Sequence, residues 1–178
     1  MTTDPWLQRW LPRIAETARG VPVLEIGCGA GADTAVLTQC GLEVVAFDLS
    51  PEAVSEARKA APAATITVQS VEQPFPLEGS GIGVVIASLS LHYFSWCQTQ
   101  RVFARIRTTL KRDGLLLCRL NSIEDKNYQS IYGKSPQRVM PNPSLNRTRN
   151  RHTAKYTASY ALYSRAMCHF ENKGGCLS

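Results

Sequence analysis

Four short runs in the first 121 residues are apolar at nearly every position, a fifth is β-branched, and stretches with helical spacing lie between them. The runs fall at residues 21–26, 43–47, 65–68, 83–89 and 115–120. A strand with one wet face alternates apolar and polar residues, whereas a strand without alternation is covered on both faces. Strands separated by helical stretches pair in parallel through crossovers. The intervening helices are expected at 31–40, closed by Gly41, from the cap-then-proline pair Ser50-Pro51 to about Ala60, and at 95–111 with Val102, Ile106 and Leu110 on one face. A first helix is expected from Asp4-Pro5, carrying Trp6, Leu7, Trp10, Leu11, Ile14 and Ala18 at helical spacing, with a kink at Pro12. The fold class is therefore α/β, an open and mostly parallel sheet whose ligands lie beyond the carboxyl ends of its strands.

The first strand runs into three glycines at alternate positions in "VLEIGCGAGADT", residues 23–34. Glycine loses the most backbone entropy on folding, so Gly27, Gly29 and Gly31 together need a geometric reason. A tight strand-to-helix turn, over which a ligand lies against bare backbone, supplies one. A dinucleotide site calls for G-x-G-x-x-G, and the spacing here is G-x-G-x-G. The second strand ends in Asp48, whose carboxylate can accept from both hydroxyls of a ribose, which suits NAD equally. Glu25, just ahead of the glycines, tips the choice: it would repel a diphosphate and attract a sulfonium or an ammonium.

The set "LEIGCGAG" and "FDLS" resembles motif I and the following acidic loop of class I S-adenosylmethionine-dependent methyltransferases. The resemblance continues through "PFP" (74–76), "VVIASLSLHY" (84–93) and "LKRDGLLLC" (110–118), in order, and covers about residues 20–121. It implies a Rossmann-like sheet with helices on both faces, and S-adenosyl-L-methionine as cofactor with S-adenosyl-L-homocysteine as product. It also implies roles. Gly27, Gly29 and Gly31 let the methionine moiety lie against the backbone, with Cys28 between them as a small packing residue rather than a nucleophile. Glu25 orients the amino group, Asp48 holds the ribose, and Leu49 lies beside the adenine. Ser70, Val71 and Glu72 occupy the stretch facing the adenine amine, while Ala87 and Ser88 border the sulfonium. His92, with Tyr93 after it, follows strand four and is the one candidate base. Methyl transfer to a lone pair disperses charge, so alignment in a dry pocket does most of the work, roughly 7–11 kcal/mol. A base is required only where the acceptor loses a proton. Gly83 departs from the family pattern, standing where relatives carry an acid.

The net charge of +6 is unevenly placed: residues 1–121 carry eleven basic and eleven acidic residues, and residues 122–178 carry nine and three. The family continues past strand five with a helix and two more strands, the last antiparallel. From Ser135 onward we find neither helical period nor strand alternation, only an amphipathic stretch at 156–170. The expected organisation is a methyltransferase core at 1–134 and an atypical basic segment at 135–178, leaving the far edge of the sheet incomplete. That segment is an RNA-binding arm, a divergent lid, or the product of a shifted reading frame; the abrupt change of composition favours the last. Six scattered cysteines without C-x-x-C or histidine pairs argue against zinc and for a reduced, cytoplasmic protein. No apolar run approaches the roughly 20 residues that span a bilayer, no leader is expected, and the sequon at Asn146 carries no meaning without secretion. The expected function is methyl transfer to a small-molecule acceptor. Two alternatives stay open: a non-catalytic remnant that at most binds the cofactor, and an RNA methyltransferase, although "SLSL" stands where N-P-P-Y would mark a nucleic-acid amine enzyme.

Overall fold

The computed structural model describes residues 6–77, 81–121 and 165–171. A 3-10 turn at Gln8–Trp10 leads into α1 (Leu11–Thr17), β1 (Val23–Ile26), α2 (Ala32–Gln39), β2 (Val44–Asp48), α3 (Pro51–Ala60) and β3 (Thr65–Val68). There follow β4 (Ile82–Ser88), a 3-10 turn at Leu91–Tyr93, α4 (Trp96–Thr109), β5 (Leu110–Asn121) and β6 (Arg165–Glu171). The sheet order is β3-β2-β1-β4-β5-β6. Strands β1 to β5 are mutually parallel, and β6 runs antiparallel to β5.

Continuous apolar runs are what a sheet covered on both faces requires, and the two cores divide them by parity. Val23, Val44, Ala46, Val84, Ile86, Leu115 and Leu117 pack on the face that holds Ile14 of α1, Leu37 of α2 and Val54 and Ala57 of α3. Their neighbours Leu24, Ile26, Val45, Phe47, Val85, Ala87, Leu116 and Cys118 pack on the other face with Val102 and Ile106 of α4. Each crossover helix is fixed by local chemistry. Ser50 Oγ accepts from Ala53 N at 3.1 Å, with Pro51 at the first helical position of α3. Ser95 and Gln98 form a reciprocal capping box at the start of α4.

Three expectations need correction. Pro12 does not kink a long helix; it lies in the first turn of α1, where a missing N–H is harmless, and the residues ahead form a separate 3-10 turn. Strand β5 starts five residues earlier than its apolar run, because Leu110 already pairs with Ile82 and the ladder resumes at Val84 with Leu115 after a bulge. Asp113, at φ +59°, turns the chain within that bulge. The third correction concerns the tail, which holds a strand where no alternation was expected. Residues 165–171 form β6 and pair with Leu115–Asn121 along the outer side of β5. Its signal in the sequence is short, since Cys168 and Phe170 alternate with His169 and Glu171 while Met167 breaks the pattern ahead of them. Among the described residues the sheet ends at β6, one strand short of the family pattern.

Gly83 finds its reason in packing. A Cβ there would lie 2.7–2.8 Å from Val21 Cγ2, Ala18 Cα and Thr17 O at the end of α1, so no acid fits at this point of β4. The Asp4-Pro5 start, the sequon and residues 122–164 lie outside the described residues.

Candidate functional site

Strand β1 sits between β2 and β4, and the chain leaves these strands toward opposite faces of the sheet. Such a switch point leaves a crevice at the carboxyl ends of the strands. A cleft of about 620 Å3 opens there.

The glycine turn forms its floor. Gly27 N and Cys28 N both donate to Phe47 O, at 2.9 and 3.1 Å, tying the turn to the end of β2. Gly27 and Gly31 have φ of +71° and +82°, a region that side chains resist. Each also faces a close neighbour. A Cβ on Gly27 would stand 2.5 Å from Ser90 Cβ, and one on Gly31 would stand 2.8 Å from Ala57 Cα. Gly31 therefore lets α2 approach α3, while Gly27 and Gly29 present backbone to the cleft.

Asp48 ends β2 with its carboxylate held at both oxygens. Oδ2 accepts from Gly29 N at 2.9 Å and Oδ1 from Ser50 N at 3.0 Å. Each oxygen keeps a further lone-pair site for a hydroxyl. Glu25, at 2% exposure, accepts from Thr34 Oγ1 at 2.6 Å through Oε2. Burial pushes its carboxyl up to about 8 against that hydrogen bond, with the charges of Asp33 and Asp48 adding to the rise. At neutral pH the uncharged acid dominates. A cation seated beside it would draw out the charged form. The Cys28 thiol is pushed up to about 12, first by burial and then by Glu25 and Asp48, so it is packing and not a nucleophile.

Of the expected residues, Glu25, Gly27, Cys28, Gly29, Asp48, Leu49, Ser70, Val71 and Ser88 all line the cleft, with Leu49 71% exposed at its rim. Gly31 stands behind the turn, and Ala87 is buried in the core shared with α4. His92 does not line the cleft. Its half-buried ring packs on Tyr93 at 4.1 Å between centroids, and Tyr93 and Phe94 face the cleft instead. The Ser70–Val71 wall is clipped to α4 by Arg105, which donates to the carbonyls of Val71 (2.8 Å), Glu72 (3.2 Å) and Gln73 and stacks on Phe75. Glu72 itself is exposed and accepts from Gln98 Nε2 at 2.9 Å.

Among the lining residues that sequence reasoning misses are the polar or aromatic Trp6, Asp33, Ser90 and Arg119. Trp6 donates its indole N–H to both oxygens of Asp33 at 3.1 Å, and Arg119 lies over the Trp6 ring at 4.7 Å. Ser90 follows Leu89, whose φ of +55° is unusual for a branched side chain. The usable signal is a basic residue, Arg119, interrupting the otherwise apolar run 115–120 near the carboxyl end of β5, where ligands are expected.

Comparison with known proteins agrees with this geometry. A family model described as a methyltransferase domain matches residues 23–114. The chain belongs to that family, the class I S-adenosylmethionine-dependent methyltransferases. An uncharacterized methyltransferase of Synechocystis sp. is 33% identical over 96 residues, covering 54% of this chain and 45% of its own. The chain spans less than half the length of the curated relatives it matches. Among solved structures, the PH0226 protein of Pyrococcus horikoshii shares the fold with a TM-score of 0.63 at 19% identity, over 94% of this chain and 89% of that one. The magnesium protoporphyrin IX methyltransferase of Synechocystis, solved with bound S-adenosylmethionine, shares it with a TM-score of 0.60 at 16% identity, over 93% and 77%. Among the described residues no helix is long and apolar enough to cross a membrane.

Proposed function

We propose that the chain binds S-adenosyl-L-methionine in this cleft and transfers its methyl group to a small-molecule acceptor, the activity residing in a core of residues 1–134. The observation that carries the reading is the Asp48 carboxylate, fixed by Gly29 N and Ser50 N beside a turn that presents bare backbone. The donor set fits the cofactor. Asp48 would take the two ribose hydroxyls, Leu49 and Val71 would flank the adenine, and Ser70 would reach its edge. The backbone at Gly27 and Gly29 would bear the methionine moiety, Glu25 would orient its amino group, and Ser88 would border the sulfur.

When bound, the cofactor supplies an electrophilic methyl on a sulfonium. The residues of this chain bind and align the reacting groups, and Tyr93 and Phe94 contribute aromatic rings to the lining. No general base is assigned, since His92 lies outside the lining and a base is needed only where the acceptor loses a proton. The Synechocystis structural neighbour is a methyltransferase of magnesium protoporphyrin IX, a small molecule, which supports a small acceptor here.

Thermal unfolding with and without S-adenosylhomocysteine tests the reading. Ligand at 100 times its Kd adds about 2.7 kcal/mol, a rise in midpoint of roughly 5–10 °C for a domain of this size. The rise should shrink severalfold in Asp48→Asn and vanish in Asp48→Ala. A cooperatively unfolding wild type with no rise would identify the chain as a remnant that has lost its cofactor. RNA that binds with a steep salt dependence would instead favour a nucleic-acid acceptor.

A further inference from the structure

We infer that cofactor binding expels a proton from Glu25, and that this exchange makes the cleft selective for adenosyl ligands that carry an ammonium group. The inference rests on the cofactor reading above and adds what separates that ligand from nucleosides lacking its amino-acid end.

Glu25 is 2% exposed, yet it lines the cleft immediately ahead of the glycine turn. Thr34, itself fully buried on α2, donates to Oε2 at 2.6 Å, which leaves Oε1 for a donor entering from the cleft. Among the described residues, the groups around this carboxyl offer it no positive charge. Its partners across the sheet are Ala46 of β2 and Ile86 of β4, both buried and apolar. Asp33 of α2 and Asp48 at the end of β2 are acids, and Cys28 in the turn is a thiol that keeps its proton. Arg119 on β5, the basic side chain of the lining, donates to Ser88 Oγ and lies over the Trp6 ring.

A buried carboxylate with two acids nearby and no cation beside it is costly, so the empty cleft holds the neutral acid. Burial and the two acids set this carboxyl at about 8, in line with that placement. An ammonium at Oε1 reverses the balance, because an opposite charge at hydrogen-bond distance favours the carboxylate. The proton leaves to solvent, and the site becomes charged only when the ligand brings the matching cation. Below pH 8 each ligand bound therefore displaces a proton, and affinity rises with pH. Above that value the free acid is already ionised and the rise levels off. An adenosyl ligand without the amino group leaves Glu25 protonated, so its affinity does not follow pH.

Calorimetry on the full chain tests this with S-adenosylhomocysteine and 5′-methylthioadenosine, which share the adenosine and differ in the amino-acid end. Titrations run from about pH 6 to about pH 7, where the ligand's own amino group stays mostly charged. Buffers of different ionisation enthalpy count the protons released. S-adenosylhomocysteine should release about one proton, and its Kd should fall roughly five- to tenfold over that interval, tenfold being the slope of a whole proton. 5′-Methylthioadenosine should release none and hold its Kd within about twofold. Glu25→Gln stays neutral and can still accept from Thr34 Oγ1, so in this variant the S-adenosylhomocysteine slope should vanish. Binding of S-adenosylhomocysteine without proton release overturns the inference. Equal release with both ligands does so too, since it would place the titrating group away from the amino-acid end. A slope that persists in Glu25→Gln assigns the proton to another group and is equally fatal. A wild type that binds neither ligand refutes the cofactor reading itself, and this inference with it.

Discussion

Replacing Glu25 by glutamine should make the protein more stable, by an amount that grows with pH. The folded chain holds this carboxyl near 8, against 4.5 for an ordinary glutamic acid, chiefly through burial. Between those values the folded state keeps a proton that the unfolded state releases, so stability falls as pH rises, by about 1.4 kcal/mol per unit. The stabilising contribution is complete below pH 4.5 and is lost as pH rises through 8. A glutamine at this position is neutral throughout and can still accept from Thr34 Oγ1, so Glu25→Gln removes the slope while keeping the hydrogen bond. Titrating groups not coupled to Glu25 are common to both proteins and cancel in the difference. From about pH 5 to about pH 7.5 the variant should gain about 3 kcal/mol on the wild type. Urea unfolding of both proteins at the two pH values, followed by circular dichroism, reads this directly. A gap that stays constant within about 0.5 kcal/mol would refute the claim that burial holds Glu25 protonated.

Two further outcomes are expected. Gly27→Ala should cost about 2–4 kcal/mol, combining a positive φ with the 2.5 Å approach to Ser90 Cβ; adding Ser90→Gly should recover the steric part, and denaturant titration that finds no recovery would show that Ser90 is not the obstacle. Iodoacetamide at about pH 8 should modify the exposed Cys40 and Cys97 and spare Cys28 until the chain is unfolded. Peptide mapping that finds Cys28 alkylated in the native protein would contradict its placement.

The parts of the fold legible in the sequence are those written by local pattern. Apolar continuity locates four of the five parallel strands, β-branched residues locate β3, and cap-then-proline chemistry locates α3 at Ser50-Pro51. The glycine turn and Asp48 are legible because backbone conformation and strand-end position are one-dimensional properties. Arg119 is not, since its meaning comes from Trp6, which lies 113 positions earlier and meets it only when the N-terminal turn and β5 have packed together. The same holds for Ser90, which matters through its close approach to Gly27 after the neighbouring strand. Pro12 misleads because periodicity runs through it on both sides, while its missing N–H is accommodated only at a helix start. Strand β6 carries an alternation too short to stand out from the basic segment around it.

The placement of β1 at the centre of the sheet bears on when the cleft can come into being. Val23 pairs with Val44 on one side and with Val84, 61 positions away in the chain, on the other. Closing that longer span costs about 0.9 kcal/mol more in chain entropy than closing the span to β2, so the β1–β4 contact belongs to the slower, non-local part of folding. During synthesis, a chain that has emerged only as far as β3 possesses the glycine turn and Asp48 but no Ser88, Ser90 or Arg119. The cofactor can therefore stabilise the finished sheet but cannot template its first half, and a nascent chain is blind to the metabolite it will later bind.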